Sequence, residues 1–229
     1  MLGSYGPNPD LTLIEAINLP PNMRSNRILN RHPSQWVSLL ALVGAGMMAF
    51  ITSTNAGGGA GVDIGISLKE GLGNPLIFQI AEELRNKFPR IFKNHPIKQI
   101  WAYKYDSRAK NEDSLLGGIR VHADQAAINV NFWITPKEAN LNPNSGGLIV
   151  YDVEAPKEWD FNTFNNDEKR IREELKKSKG NTKVIPYNEN RAVIFNSNLF
   201  HETDNYEFKE GYENRRINVT LLFGRRKDN

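Results

Sequence analysis

The sequence contains no cysteine, which narrows the kinds of site that these 229 residues can build. Disulfide bonds and thiolate metal sites are excluded, so any metal must be held by histidine, aspartate, glutamate or backbone oxygen. Histidine is also scarce, since the chain has only His32, His95, His122 and His201. His32 and His95 stand beside prolines in polar segments, and we interpret both as turn residues rather than ligands.

Charge of one sign is not in excess. The chain has 29 basic and 26 acidic residues, for a formal net charge of +3. A nucleic-acid-binding domain would carry a concentrated basic patch. The basic clusters at 176–177 and 225–227 are short, and we interpret them as solvated surface. Nucleic acid is therefore not expected as a partner, while a hydrophobic content of 39% is enough for a buried core.

The longest uncharged run, VSLLALVGAGMMAFI at 37–51, is too short for an ordinary membrane helix, which needs about 20 residues. A buried helix or one that packs against a partner is our first interpretation, and a signal-like segment is the second because small residues follow it. The glycine-rich stretch 55–61 lacks the Lys-Ser/Thr ending of a phosphate loop and is interpreted as a flexible loop. We predict an N-terminal extension over 1–61 and one domain over 62–229. The extension would form a contact between copies of the chain, a supporting layer or a membrane-proximal segment.

Within the predicted domain, strand patterns dominate. An amphipathic helix is predicted from Pro75 to Phe92, and a charged helix over 165–180. The segments with strand character are 97–105, 126–135, 146–153, 182–187, 191–196 and 215–223. Several short strands at close intervals with few helices predict a mainly β fold with flanking helices, either a sandwich or a barrel.

Four chemically suitable residues follow one another in the strand-rich part. His122 and Asp124 are two residues apart, so in an extended chain they point to the same side. His201 follows the predicted strand 191–196, and Arg216 opens the last strand. Two histidines and one carboxylate form the facial arrangement that leaves metal positions open, which fits non-heme Fe(II) oxygenases. An arginine nearby offers a planar fork for a carboxylate.

This ordered set resembles the motif of the 2-oxoglutarate/Fe(II)-dependent dioxygenases over residues 97–223. The resemblance implies a double-stranded β-helix, a jelly roll or cupin-like barrel. It also implies Fe(II) held by His122, Asp124 and His201, with 2-oxoglutarate and O₂ as co-substrates and no catalytic side chain beyond the metal ligands. Arg216 would pair with the distal carboxylate of 2-oxoglutarate. The implied reaction is hydroxylation of a C–H bond with release of succinate and CO₂.

Strand alternation extends the list of candidate cofactor-binding residues. On the last strand, Arg216 and Asn218 share a face with Thr220, so Asn218 is placed to share the carboxylate. Arg215 is the competing arginine, but it points to the opposite face. On the strand 128–134, the side chains of Ile128, Val130, Phe132 and Ile134 are expected to face outer helices, and those of Asn129, Asn131 and Trp133 to face the barrel interior.

Two of the cofactor-binding candidates have a structural alternative. Asn131 is a candidate cofactor contact or an amide bonded to a neighbouring loop. Tyr105 lies on the strand before the His-x-Asp motif, where related enzymes often have a tyrosine that bonds the co-substrate. The alternative for Tyr105 is a packed strand tyrosine.

Other functions remain open beside hydroxylation. In related halogenases a small residue replaces the carboxylate, so Asp124 favours hydroxylation. The related nucleic-acid demethylases have a second arginine at the position of Leu222, so the resemblance to that branch of the superfamily is incomplete. The alternatives are a cupin-type metalloenzyme that does not use 2-oxoglutarate and a non-catalytic jelly-roll binding module. The expected substrate is a small molecule or peptide, with specificity in loops 106–119 and 138–146, of which the first is a candidate lid.

The expected location is the cytoplasm, where 2-oxoglutarate is available. The alternative is membrane association or export through the apolar segment 37–51. The same segment is the candidate contact for a homo-oligomer.

Overall fold

The structure, a computed structural model, describes residues 17–18, 64–67, 75–105, 107, 118–178, 180–189 and 191–226. The apolar segment 37–51, the glycine-rich loop 55–61 and most of the candidate lid 106–119 lie outside the described residues. Among the described helices, none has the length and apolar character needed to cross a membrane.

Nine antiparallel strands form two sheets in the described part of the chain. The strands are β1 Ile17–Asn18, β2 Ile64–Ser67, β3 Ile97–Tyr105, β4 Ile128–Trp133, β5 Leu148–Glu154, β6 Thr182–Ile185, β7 Arg191–Asn196, β8 Leu199–Thr203 and β9 Arg216–Phe223. The six-stranded sheet has the order β1-β7-β4-β9-β3-β2, and the three-stranded sheet has the order β6-β5-β8. Strand β1 lies within the predicted extension 1–61 and pairs with β7 at the edge of the larger sheet.

In the described part of the chain, four α-helices cover the outer faces of the two sheets. They are α1 Pro75–Lys87, α2 Pro89–Phe92, α3 Phe161–Asn166 and α4 Glu168–Ser178. Ile77, Ala81 and Leu84 lie on one face of α1, at helical spacing, and pack against the outer face of the six-stranded sheet. Ile171 of α4 packs with Phe200 of β8 on the outer face of the three-stranded sheet. The described residues also include two 3₁₀ turns, Lys137–Ala139 and Tyr212–Asn214.

The helix predicted from Pro75 to Phe92 is divided in two, and the charged helix predicted over 165–180 starts only at Glu168, after a separate short helix, α3, that the sequence did not predict. Pro89 cannot donate a backbone hydrogen bond, so α1 ends at Lys87 and α2 starts a new turn. In the charged segment, Asp160 caps α3 by accepting a hydrogen bond from the Thr163 amide at 2.8 Å. Asp167 accepts one from the Arg170 amide at 3.0 Å, so α4 has its own start.

The core of the jelly roll lies between the two sheets. Aromatic and aliphatic residues from both sheets form one buried cluster, with Trp133 of β4, Val150 of β5, Ile185 of β6 and Phe195 of β7 among its members. The central strands β4 and β9 are buried along their whole length, because helices cover one face and the other faces the interior. The mainly β jelly-roll fold expected from the sequence is confirmed.

The predicted faces of β4 are also confirmed. Ile128, Val130 and Phe132 belong to the cluster under α1, while Asn129 and Asn131 point into the interior. One strand was missed by the sequence analysis, since His201 lies within β8 rather than in a loop after β7. Only Ser197 and Asn198 separate β7 from β8. In the sequence, the residues of β8 therefore look like a polar continuation of β7 rather than a second strand.

Candidate metal and co-substrate site

The structure brings His122, Asp124 and His201 together where the segment before β4 lies beside β8. His122 lies opposite His201 in an isolated antiparallel bridge. Each backbone amide donates to the other's carbonyl, from His122 at 3.0 Å and from His201 at 2.8 Å. Directly opposed residues share a face of a sheet, so the two imidazoles are neighbours, with ring centroids 4.3 Å apart. One ligand atom from each of the three residues lies within 4.8 Å of the others.

Backbone carbonyls fix the orientation of both imidazoles. Nδ1 of His122 lies 2.7 Å from the Arg120 carbonyl oxygen, and Nδ1 of His201 lies 2.9 Å from that of Leu199. A carbonyl oxygen only accepts, so each Nδ1 must carry the proton and donate it. Each Nε2 therefore presents its lone pair toward Asp124, at 3.6 Å from Oδ1 for His122 and 3.5 Å from Oδ2 for His201. This is the tautomer that a metal-binding imidazole requires.

Burial sets the protonation states that metal binding needs. Desolvation, with the neighbouring His201, lowers the pKa of His122 from 6.5 to about 4, so this imidazole is neutral at neutral pH. Burial alone raises the pKa of Asp124. The contacts of the carboxylate with His201 and His122 and the hydrogen bond from the Asn129 amide outweigh that effect and lower the pKa of Asp124. Two imidazoles that present Nε2 and one carboxylate make a donor set that fits a divalent metal such as Fe(II).

Arg216 is buried in the wall of the same cavity. Its side chain is only 1% exposed. Nε donates to the Gly146 carbonyl at 2.6 Å, and one terminal nitrogen donates to the Gly147 carbonyl at 2.9 Å. The other terminal nitrogen donates to Oδ1 of Asn218 at 3.2 Å. All three acceptors are neutral, so the described contacts hold the guanidinium in place without balancing its charge.

The cavity combines the three candidate metal ligands, the arginine and a row of polar side chains. Its lining consists of Trp101, Ile119, His122, Asp124, Asn129, Asn131, Leu148, His201, Glu202, Thr203, Arg216, Asn218 and Thr220. The cavity therefore contains six of the seven residues predicted from the sequence for the metal and the co-substrate, and Tyr105 is the exception. Arg215, the competing arginine, is not among the lining residues.

Tyr105 lies behind Arg216 rather than on the cavity wall. Its ring is fully buried, and the Arg216 guanidinium carbon lies 4.9 Å from the ring centroid. The ring centroid of Tyr206 lies 6.0 Å from the same guanidinium carbon. Tyr105 directly opposes Arg216 in the β3–β9 register, so cross-strand pairing explains the contact. The packed-tyrosine alternative describes this position in the structure.

The end of the loop 138–146 and the residue after it support Arg216 through backbone carbonyls. Gly146 has a φ of +84°, and the carbonyls of Gly146 and Gly147 both turn toward Arg216. A Cβ at Gly147 would lie 1.9 Å from the Ile185 carbonyl oxygen.

Among the predicted turn histidines, His95 lies in the turn after α2, while His32 lies outside the described residues.

Several residues of the site were not selected from the sequence. Asn129 was placed on the interior face, but alternation gave no reason to connect it to Asp124. Trp101 and Thr220 directly oppose one another in the β3–β9 register and both line the cavity. The Gly146–Gly147 pair before β5 can be recognised in the sequence. That its two carbonyls accept hydrogen bonds from Arg216 is known only from the three-dimensional structure.

Comparison with known proteins gives matches in structure alone. No protein-family model matches the chain, and no curated protein matches it. Among solved structures, the α-ketoglutarate-dependent carbocyclase SnoK from nogalamycin biosynthesis is similar with a TM-score of 0.53 and 6% identity, over 84% of this chain and 76% of SnoK. The epimerase SnoN from the same biosynthesis has a TM-score of 0.47 and 12% identity, over 81% and 73% of the two chains.

A third similar structure is HygX from Streptomyces hygroscopicus, solved with nickel and 2-oxoglutarate bound. Its TM-score is 0.41 at 11% identity, over 81% of this chain and 78% of HygX. Identities this low report on the fold. The chain therefore has the double-stranded β-helix fold of the 2-oxoglutarate/Fe(II)-dependent oxygenases, as the resemblance in its sequence predicted.

Proposed function

We propose that the protein is an Fe(II)- and 2-oxoglutarate-dependent dioxygenase that hydroxylates a C–H bond of a small molecule or peptide. One observation carries the proposal. The Nε2 atoms of His122 and His201 converge with the Asp124 carboxylate in a cavity that is also lined by Arg216, a buried arginine whose hydrogen bonds to the described residues go to neutral acceptors. Bound Fe(II) with 2-oxoglutarate and O₂ would supply the oxidising chemistry, releasing succinate and CO₂.

The role of the protein side chains follows from their donors. His122, Asp124 and His201 supply three ligands, which leaves positions for a chelating co-substrate and for O₂. Arg216 has five N–H donors, of which three are donated to described oxygen atoms. The two that remain suit the two oxygens of a carboxylate. Asn218 donates to Asn131 and Thr220, so it is proposed to act on that carboxylate through its bond to the guanidinium.

The electrostatics of Arg216 favour an anionic ligand. A buried cation without a counterion is costly, and its attraction to an anion is strong because the surroundings are poorly polarisable. Two carbonyls and an amide orient the guanidinium but leave its charge for a ligand. The distal carboxylate of 2-oxoglutarate would supply that charge, and Asn131, which lines the cavity beside Asn218, is proposed as a further polar contact.

Hydroxylation is the finer part of the proposal. The Asp124 carboxylate occupies the metal position that is open in related halogenases, which favours oxygen transfer to the substrate. The fold alone does not select the reaction, since SnoK shares it and is a carbocyclase. In a cupin-type metalloenzyme that does not use 2-oxoglutarate, Arg216 would have no co-substrate carboxylate to bind. The buried arginine in the cavity therefore favours an enzyme that uses 2-oxoglutarate.

The first test is an anaerobic titration of the purified protein with Fe(II) and 2-oxoglutarate, followed by the visible metal-to-ligand charge-transfer band. We expect a band in the wild type and none in His201→Ala, because the variant loses a metal ligand. Arg216→Gln should keep the band but require about 10–100-fold more 2-oxoglutarate, since a charge-assisted contact contributes roughly 1.5–3 kcal/mol.

Arg226→Gln is the matched control for the loss of a structural arginine. Arg226 donates to the carbonyls of Ala155, Pro156 and Trp159 outside the cavity. The control should lose stability and keep the wild-type requirement for 2-oxoglutarate. A folded wild type without the band contradicts the proposed function and favours the binding-module alternative. Equal effects of the two arginine substitutions contradict the role of Arg216.

A further inference from the structure

Three buried asparagines connect Arg216 to Asp124 by an unbroken chain of hydrogen bonds. Arg216 donates to Asn218, and Nδ2 of Asn218 donates to Oδ1 of Asn131 at 2.9 Å. Nδ2 of Asn131 donates to Oδ1 of Asn129 at 2.7 Å. Nδ2 of Asn129 then donates to Oδ2 of Asp124 at 2.5 Å. We call this set of side chains the amide relay.

The direction of every bond in the amide relay is fixed by its two ends. Arg216 can only donate, and an ionised Asp124 can only accept. Each amide between them must therefore accept on the arginine side and donate on the aspartate side. Rotating the amide of Asn131 by 180° would place its nitrogen against the donors of Asn218 and Thr220. The three amide dipoles are thus aligned from the cation toward the carboxylate, and aligned bonds strengthen one another.

Strand geometry holds the amide relay rigid. Asn129 and Asn131 are two residues apart on β4, so they project from the same face. Asn131 directly opposes Thr220 on β9, and Asn218 lies diagonally across from it. Asn129 is 0% exposed, and Asn131 and Asn218 are each 5% exposed. Water therefore has little access to compete for these bonds.

Asn129 has a specific effect on the proposed metal ligand. Its N–H occupies Oδ2 of Asp124 and fixes the rotation of the carboxylate about its Cβ–Cγ bond. The other oxygen, Oδ1, lies 3.6 Å from Nε2 of His122 and is free of the Asn129 amide, whereas Oδ2 accepts from Asn129 and also lies 3.5 Å from Nε2 of His201. A carboxylate held in this way binds a metal through one oxygen rather than two, and this preserves the open positions that two co-substrates need.

We propose that Asn129 is a positioning residue that holds Asp124 as a one-oxygen metal ligand, and that the amide relay anchors Asn129. The inference rests on the proposed metal site, but it makes a prediction about metal binding alone. A buried amide with a merely structural role would stabilise the fold without altering affinity for a metal. A merely co-substrate-binding Asn131 would not alter metal affinity when 2-oxoglutarate is absent.

The test is a titration with Co(II) in the absence of 2-oxoglutarate, followed by the visible d–d absorption of the bound ion. Asn129→Leu removes the bond to Asp124 at nearly constant volume, and we expect the Co(II) dissociation constant to rise about 10–100-fold. Asn131→Leu leaves Asn129 without its anchor, and its dissociation constant should rise by a smaller factor. The absorption spectrum of Asn129→Leu should also change, because the carboxylate can rotate.

Thr135→Val is the matched control for buried hydrogen bonds. The Thr135 hydroxyl donates to the Arg215 carbonyl at 2.7 Å and accepts from the Ile217 amide at 2.9 Å, outside the amide relay. The control should lose stability and keep the wild-type Co(II) affinity. If Asn129→Leu does not fold, Asn131→Leu decides the question by the same comparison.

The outcomes separate this inference from the proposed function. Tight Co(II) binding by the wild type with no rise for Asn129→Leu overturns the positioning role and leaves the metal site intact. An equal rise for Thr135→Val also overturns it, because the effect would then follow stability. A folded wild type that binds no Co(II) overturns the metal site and, with it, this inference.

Discussion

At the scale of single residues, the site depends on the imidazole of His122, which stays neutral because it is buried. The His122 side chain is 12% exposed and that of His201 is 4% exposed. Both donate through Nδ1 to backbone carbonyls, so protonation at Nε2 would place a second proton next to another buried ring. Desolvation and this neighbour together lower the pKa of His122 to about 4. The neutral form that binds a metal is therefore already the form that the fold prefers.

The lowered pKa of His122 predicts that the metal-free protein loses stability in mild acid. In the unfolded chain this imidazole takes up a proton near pH 6.5, whereas in the folded chain it does so near pH 4. The unfolded state therefore binds more protons between these values, so the free energy of unfolding falls as the pH falls through this window. The separation of the two pKa values corresponds to about 3 kcal/mol. Urea denaturation of the metal-free protein at several pH values measures it.

His122→Gln is the control for that pH dependence. Glutamine does not titrate, so the variant should lose this part of the slope between pH 6.5 and 4 and keep the part due to the carboxylates. Parallel stability curves for the variant and the wild type would contradict the assignment of the slope to His122.

At the scale of secondary-structure elements, Arg216 is held by a turn rather than by another side-chain charge. The two carbonyls come from the Gly146–Gly147 pair immediately before β5. Gly147 packs so closely that an added Cβ would meet the Ile185 carbonyl oxygen at 1.9 Å and the Trp133 ring at 2.9 Å. Absence of a side chain at residue 147 thus allows β5 to approach β6 and directs the carbonyls at the guanidinium.

Gly147→Ala should therefore damage both the fold and the co-substrate site. The methyl group forces the backbone to shift, which we expect to cost about 2–3 kcal/mol of stability. The same shift moves the carbonyls that orient Arg216, so the concentration of 2-oxoglutarate needed for the charge-transfer band should rise. Denaturant unfolding and the anaerobic titration measure the two effects.

Gly180→Ala provides a comparison with similar crowding away from the cavity. A Cβ at Gly180 would lie 2.5 Å from the Val153 side chain and 2.8 Å from the Asp152 carbonyl oxygen. This variant should lose stability without changing the requirement for 2-oxoglutarate. A requirement that rises equally in both variants would mean that general loosening of the fold, and not the turn carbonyls, causes the effect.

Strand periodicity explains which parts of the fold were predictable. β3 and β7 have the predicted bounds, and β4 and β9 differ by one or two residues, because their alternation is clear. The faces of β4 followed from the same alternation. β8 was missed since its residues follow β7 after only two polar residues, and a tight turn between strands leaves little local signal.

The candidate site was predictable to the extent that chemistry is visible in single residues. His122, Asp124, His201 and Arg216 have distinctive side chains in a distinctive order, and the structure brings them to one cavity. The connection of Asn129 to Asp124 depends instead on a rotamer inside the folded sheet. A common residue type acquires its role only through such contacts, so composition and spacing could not identify it.

At the scale of the whole molecule, the cavity joins parts of the chain that are distant in sequence. His122 and Asp124 precede β4 of the six-stranded sheet, His201 lies in the three-stranded sheet, and Arg216 lies on the central strand β9. A metal bound to the three ligands would therefore connect the segment before β4 to β8, and a bound dicarboxylate would extend that connection to β9. Ligand binding at this place should stabilise the entire jelly roll.

We expect divalent metal to raise the melting temperature of the wild type by mass action. A metal that binds only the folded state adds about 2.7 kcal/mol of stability at 100 times its dissociation constant. For a domain of this size, that amount corresponds to about 5–10 °C. Thermal unfolding with and without Co(II), and again after addition of a chelator, measures the shift. His201→Ala should show almost no shift, because the variant lacks the ligand that joins the second sheet; an equal shift in that variant would place the metal elsewhere on the chain.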